Sequence, residues 1–100
     1  PPTALFSTNN RITAGALRAL RAWSLRQPGR PLPALVGFDD VDLGDLLGVT
    51  VMSHNPEDMG RLAVLTAIER MDGDRRPPRT IVLPTALVVR GSGERPPSFQ

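Results

Sequence analysis

Residues 35–40 read LVGFDD, an apolar run of strand length that ends on carboxylates. The chain repeats this layout on either side, in ALFSTN at residues 4–9 and in VTVMSH at residues 49–54. Helical patterns follow the first and the third run, at residues 12–25 and 56–72. Strand-length runs that alternate with helices are typical of β-α units. The sequence therefore predicts an α/β fold with a mostly parallel sheet.

Each of the three runs leads to a polar side chain, namely Asn9, Asp39 or His54. The carboxyl ends of parallel strands meet at one edge of a sheet, where ligands bind in such folds. An amide both donates and accepts hydrogen bonds, and a carboxylate accepts two from vicinal sugar hydroxyls or from the N–H groups of a base. We expect a small-molecule site there. The alternatives are that Asn9 and Asp39 cap the segments that follow them, and that His54 is an ordinary surface or packed residue.

The rest of the chain predicts a short helix or turn at residues 40–47 and two short strands at residues 80–83 and 86–89. The segment from residue 91 to residue 100 is rich in glycine, proline and serine, which is typical of a disordered tail.

Composition limits the classes of function. A chain of 100 residues forms one small domain, and its lack of cysteine excludes a disulfide framework and a thiol nucleophile. All 12 basic residues are arginine, but the formal net charge is only +2 and 4% of residues are aromatic, so no nucleic-acid surface is predicted. No apolar run approaches the roughly 20 residues of a membrane span.

Catalytic and metal-binding motifs are not evident. The carboxylates of Asp39, Asp40, Asp42 and Asp45 form one local cluster, whereas a metal site places ligands on converging elements. No serine lies in a Gly-x-Ser-x-Gly context, and the first β-α turn lacks the glycines of a phosphate-binding loop. We therefore expect no enzyme activity, no metal and no cofactor.

Four motifs, in this order and spacing, resemble the lac-repressor (LacI/GalR) family of bacterial transcriptional regulators. They are FSTNNRITAGALRAL at residues 6–20, VGFDD at 36–40, PEDMGRLA at 56–63 and LPTALVVR at 83–90. Together the matching segments extend over about residues 3–93.

The resemblance implies the C-terminal portion of a type I periplasmic-binding-protein-like fold, in which an effector binds between two Rossmann-like lobes. Residues 1–53 would belong to the C-terminal lobe, 54–85 to the segment that returns to the other lobe, and 86–93 to the C-terminal lobe again. A disordered tail is expected at residues 94–100. By this resemblance the chain corresponds to the last third of a regulator, and the helix at residues 56–72 would pack on the other lobe.

In that family the aspartate at the position of Asp39 contacts effector, and a two-fold dimer contact involves the positions of Ala14, Arg18, Leu46 and Leu47. Core packing is the alternative for the two leucines. The resemblance implies a cytoplasmic homodimer that binds a small-molecule effector, by default a sugar, and that binds operator DNA only through an N-terminal helix-turn-helix outside this sequence. The alternative is a fragment of a periplasmic sugar-binding protein of a transporter.

Overall fold

The computed structural model describes residues 2–97, and two compact units divide the chain. The first unit extends up to Ser53 and resumes at Ala86, and the second runs from His54 to Thr85. The units have the same bounds as the lobe segments expected from the family resemblance, although the assignment to lobes stays a prediction. Within the described residues, no helix has the length and apolarity that crossing a membrane requires.

The first unit contains a four-stranded sheet. Its strands are β1 (Ala4–Ser7), β2 (Ala34–Phe38), β3 (Thr50–Ser53) and β4 (Ala86–Val88), in that spatial order. β1 and β2 are parallel, as are β2 and β3, which confirms the predicted α/β fold with a mostly parallel sheet. β4 is antiparallel to β3, with Ala86 paired to Ser53. The chain therefore leaves the sheet at the end of β3 and re-enters it beside that end. For this reason β4 runs in the direction opposite to β3.

Three α-helices follow the sequence pattern: α1 (Asn10–Arg26), α2 (Gly44–Leu47) and α3 (Pro56–Met71). α1 begins two residues before the predicted start because Asn9 Oδ1 accepts the Ile12 N–H at 2.8 Å. Asn55 caps α3 in the same way, with Pro56 in its first turn.

The second unit contains α3 and the chain that follows it. None of residues 54–85, all of which are described, forms a strand, so the strand predicted at residues 80–83 is wrong. An apolar run alone does not supply the backbone partners that a strand needs. α3 has no buried residue, and Met71 is 82% exposed. Beyond the helix, Arg76 binds both carboxylate oxygens of Asp74 and reaches Glu69 at 3.1 Å.

The core of the first unit is small. Leu35 on β2, Val51 on β3 and Val49 just before β3 are almost fully buried, and the apolar face of α1 packs against them. α1 contacts the sheet closely because the buried hydroxyls of Ser7 and Thr13 share a hydrogen bond beside Gly37. A Cβ atom at that glycine would lie 2.6 Å from Thr13 Oγ1, so a larger residue would separate helix and sheet.

Two buried hydroxyls join the C-terminal segment to the beginnings of β2 and β3. Ser92 Oγ donates to the Leu35 carbonyl at 2.6 Å and accepts the Thr50 N–H at 2.8 Å. Thr50 Oγ1 accepts the N–H groups of Arg90 and Gly93, each at 3.1 Å. Backbone groups that would be costly to bury unpaired are thereby satisfied by side chains.

The predicted disordered tail therefore needs correction at its beginning. Residues 92–94 form a short 3₁₀ helix, and Glu94 accepts hydrogen bonds from the Thr50 hydroxyl at 3.0 Å and the Gly91 N–H at 2.8 Å. Arg95 donates to the Pro33 carbonyl at 3.0 Å. Composition suggested disorder because the stabilising partners lie far away along the chain. Residues 98–100 of the predicted tail lie outside the described residues.

We expect Ser92→Ala to destabilise the chain by about 1–3 kcal/mol, because the Thr50 N–H and the Leu35 carbonyl would lose a buried partner. Urea unfolding followed by circular dichroism measures this free energy. Ser24→Ala is the matched control, since that hydroxyl only bonds to the Arg21 carbonyl of its own helix. Equal stabilities for the two variants would contradict the structural role of Ser92.

Candidate functional site

Two of the predicted ligand-binding residues lie at the carboxyl edge of the sheet in the first unit. Asn9 follows β1 and Asp39 follows β2, and these neighbouring strands are in parallel register with Ser7 opposite Gly37. The Asp39 N–H donates to the Met52 carbonyl at 2.9 Å, which holds this residue beside the end of β3. The structure thus brings the amide and the carboxylate to one edge.

Asn9 has a local role that the sequence left open. Its Oδ1 accepts the Ile12 N–H, so the capping interpretation is confirmed for that atom. The side chain is exposed, and an amide that accepts through Oδ1 still carries two donor hydrogens on Nδ2. Capping and ligand binding are therefore chemically compatible in this one residue.

Asp39 has an uncommon backbone conformation. Its φ is +70°, in the left-handed region that few non-glycine residues adopt and that aspartate tolerates better than most. The residue is half-buried. The carboxylate of Asp40 bonds to the backbone of the following segment, since its Oδ1 accepts the Val41 N–H at 2.8 Å. Non-glycine residues in such conformations cluster at functional sites, which agrees with a binding role for Asp39.

His54 comes directly after β3 but is the first residue of the second unit. It is half-buried, and its Nδ1 is buried. Asn9 and Asp39 belong to the first unit. The contact of His54 with a ligand stays a prediction.

An ion pair anchors the chain immediately after Asp39. Arg90 Nη1 and Nη2 donate to the two carboxylate oxygens of Asp40 at 2.8 and 2.9 Å. This hydrogen-bonded guanidinium lowers the pKa of Asp40 from its ordinary value, and the carboxylate raises the pKa of Arg90. Arg90 was not among the residues predicted from the sequence, because 50 residues separate it from Asp40 and an arginine after an apolar run does not indicate its own partner.

The positions expected at a dimer contact also lie in the first unit. Ala14, Arg18 and Leu47 line one groove of about 810 Å³ between α1 and the chain around α2. Leu46 is 78% exposed and Leu47 58% exposed, so core packing is wrong for both leucines. Apolar and charged side chains both line the groove, and the exposed leucines of α2 provide further apolar surface.

Charges of both signs surround this groove. Arg11, Arg18 and Arg21 lie along α1, while Asp42 lines the groove and Asp45 lies on α2. Two copies related by a two-fold axis could pair the basic helix of one with the acidic segment of the other. Within residues 2–97, no group of three histidine, aspartate or glutamate side chains is arranged to hold a metal ion.

Comparison with known proteins gives a consistent result. The family model described as periplasmic binding protein-like domain matches residues 1–93. The HTH-type transcriptional regulator PtxS of Pseudomonas aeruginosa is 34% identical over 93 residues, and the match covers 91% of this chain. The ribose operon repressor of Haemophilus influenzae is 32% identical over 93 residues and covers the same share. The HTH-type transcriptional repressor CytR of Escherichia coli is 28% identical over 94 residues, or 92% of this chain. In each case the chain spans 27% of the relative's length.

Acid should weaken the Asp40–Arg90 pair. A carboxyl group whose pKa is lowered in the folded state stabilises the fold above its ordinary pKa of 3.8, and this stabilisation is lost as the pH falls below that value. We expect the free energy of unfolding to fall less steeply below about pH 4 in Asp40→Asn than in the wild type. Urea unfolding at a series of pH values measures it. Arg90→Gln should reduce the pH dependence of the free energy of unfolding similarly. If both variants keep the wild-type pH dependence, the Asp40–Arg90 pair does not stabilise the fold.

Proposed function

Since this chain belongs to the periplasmic binding protein-like domain family, in the form found in LacI-type transcriptional regulators, we propose that it is the effector-binding and dimerisation portion of such a regulator. The observation that carries the proposal is the match over residues 1–93 with proteins named as transcriptional regulators and repressors. These names favour regulation over sugar transport, the alternative drawn from the sequence.

The proposed effector is a small polyhydroxylated molecule such as a sugar. The Asp39 carboxylate would accept hydrogen bonds from two vicinal hydroxyls, and the Asn9 amide would donate through Nδ2 while Oδ1 caps α1. His54 is the third proposed contact, on the basis of its position after β3. None of the three proposed contact residues is assigned a role as nucleophile, acid or base. The proposed role of the site is therefore ligand binding without catalysis.

In the proposed mechanism the effector changes operator affinity by binding two arrangements of the regulator unequally. A ligand can shift such an equilibrium only by its differential affinity for the two states. Operator DNA would be bound by a helix-turn-helix outside this sequence, and the regulator would act in the cytoplasm. The contribution of this chain is one wall of the effector site and one face of the dimer.

The proposed dimer contact is the surface formed by Ala14, Arg18, Leu46 and Leu47. It is supported by the exposed leucines of α2, by the groove beside them and by the opposite charges of α1 and α2. A two-fold axis would place the same patch of each copy against the other, so every favourable contact would occur twice.

Asp39→Ala should weaken effector binding about tenfold, because hydrogen bonds to a charged group contribute on the order of 1.5–3 kcal/mol each. Titration of the chain with a panel of pentoses and hexoses, followed by amide chemical shifts, detects even weak binding. Asp72→Ala is the control, because it removes an exposed carboxylate just after α3, in the second unit and outside the groove of the proposed dimer contact. Binding by Asp39→Ala with wild-type affinity would exclude this contact.

Replacing both Leu46 and Leu47 by glutamate should raise the dimer dissociation constant at least about tenfold, since charges would be buried in an apolar contact. Sedimentation velocity over a range of concentrations measures this constant. Leu25→Glu is the matched control, because Leu25 is 70% exposed on α1 and does not line the groove. A wild-type chain that stays monomeric throughout, or a variant that dimerises normally, would contradict the proposed interface.

A further inference from the structure

Arg90 links the beginning of β3 to the loop that follows β2. Its backbone N–H donates to Thr50 Oγ1 at 3.1 Å, and its Nη1 donates to the Val49 carbonyl at 3.3 Å. The same guanidinium holds both carboxylate oxygens of Asp40. The Arg90 side chain is only 17% exposed, although its partner is 43% exposed. A bidentate pair with one well-packed member restricts the orientation of the other.

Asp40 is held from two directions at once. Its carboxylate binds Arg90, and its Oδ1 also accepts the Val41 N–H of the following segment. The preceding residue, Asp39, has the left-handed φ of +70° and donates its N–H to Met52. A non-glycine residue keeps such a conformation only when its surroundings fix it. The anchored carboxylate of Asp40 is one constraint on the C-terminal side of Asp39.

The ion pair also limits which residue types fit at the first position of α2. A Cβ atom on Gly44 would lie 2.5 Å from Arg90 Nη1 and 2.7 Å from Asp40 Oδ1. Those distances are shorter than real side chains accept, so Gly44 packs directly on the pair. α2 continues to Leu46 and Leu47. One guanidinium–carboxylate contact therefore lies between Asp39 and the exposed leucines.

We propose that Arg90 is a positioning residue that holds Asp39 in its binding conformation and couples this carboxylate to the leucine surface of α2. Its predicted consequence is that a ligand bound at Asp39 and a second copy bound at Leu46 and Leu47 influence each other through the Arg90–Asp40 pair. The ligand part of this inference rests on the proposed function, whereas the positioning itself is measurable without any ligand.

The test is amide hydrogen exchange by nuclear magnetic resonance on the labelled chain. Arg90→Lys keeps the positive charge but loses the planar fork that grips both oxygens. We expect the Asp39 and Gly44 amides to exchange at least about tenfold faster in this variant, with Val36 and Val51 in the sheet within about twofold of wild type. A general stabilising role would instead accelerate all four amides together.

Gly44→Ala is the second variant, because it disturbs the pair by contact while keeping both charges. It should reproduce the faster exchange at Asp39. Arg76→Lys is the control, since Arg76 also binds a carboxylate, through Nε and Nη2 to Asp74 in the second unit, and should leave the Asp39 amide unchanged.

Unchanged exchange at Asp39 in both Arg90→Lys and Gly44→Ala would overturn the proposal, as would uniform acceleration throughout the sheet. The same samples are then titrated with D-ribose, followed by glucose. If sugar binds, Arg90→Lys should weaken it at least about fivefold with little loss of sheet protection. If the wild type binds neither sugar while Arg90 protects Asp39, ribose and glucose are excluded as ligands of this chain and the positioning role is supported.

Discussion

The fold depends on the two buried hydroxyls of Thr50 and Ser92. They satisfy backbone groups of β2, β3 and the C-terminal segment that water cannot reach. A chain of this length buries only a small apolar core, here centred on Leu35, Val49 and Val51. With so little apolar stabilisation, an unpaired backbone group at the sheet would take a large share of the net stability. Polar side chains of β3 and of a short C-terminal segment therefore contribute to the stability of this sheet beside its apolar core.

The same constraint leads directly to the proposed effector site. Because the hydroxyl of Thr50 fixes the backbone of Arg90, the guanidinium has a fixed origin from which to reach Asp40. Asp40 in turn precedes α2 and follows Asp39, the one ligand candidate with a left-handed backbone. Sheet edge, ion pair and exposed leucines thus form one connected set of contacts within the first unit. Networks of packed side chains and ion pairs of this kind can carry coupling between two binding surfaces, which is the proposed role of the Arg90–Asp40 pair.

The apolar periodicity of the sequence predicted the secondary-structure elements well, but it did not predict which side chains are buried. The apolar spacing of residues 56–72 correctly predicts α3, yet Met59 is 50% exposed and Met71 is 82% exposed. Apolar positions at helical spacing record which face of a helix suits an apolar partner. They do not say whether the residues present in this chain supply that partner. The strand predicted at residues 80–83 was wrong for a similar reason, since a strand also requires a partner.

Sequence alone determined the α/β fold, the order of β-α units and the placement of Asn9 and Asp39 after neighbouring strands, because these follow from short-range patterns and from the rules of parallel sheets. Tertiary structure decided the rest. It paired Arg90 with Asp40 across 50 residues, ordered the segment around Ser92 that composition marked as disordered, and left His54 in the other unit. The physical reason is that the sequence gives the chemical type of each side chain directly. Its contact partner depends on which distant segments the fold brings close together.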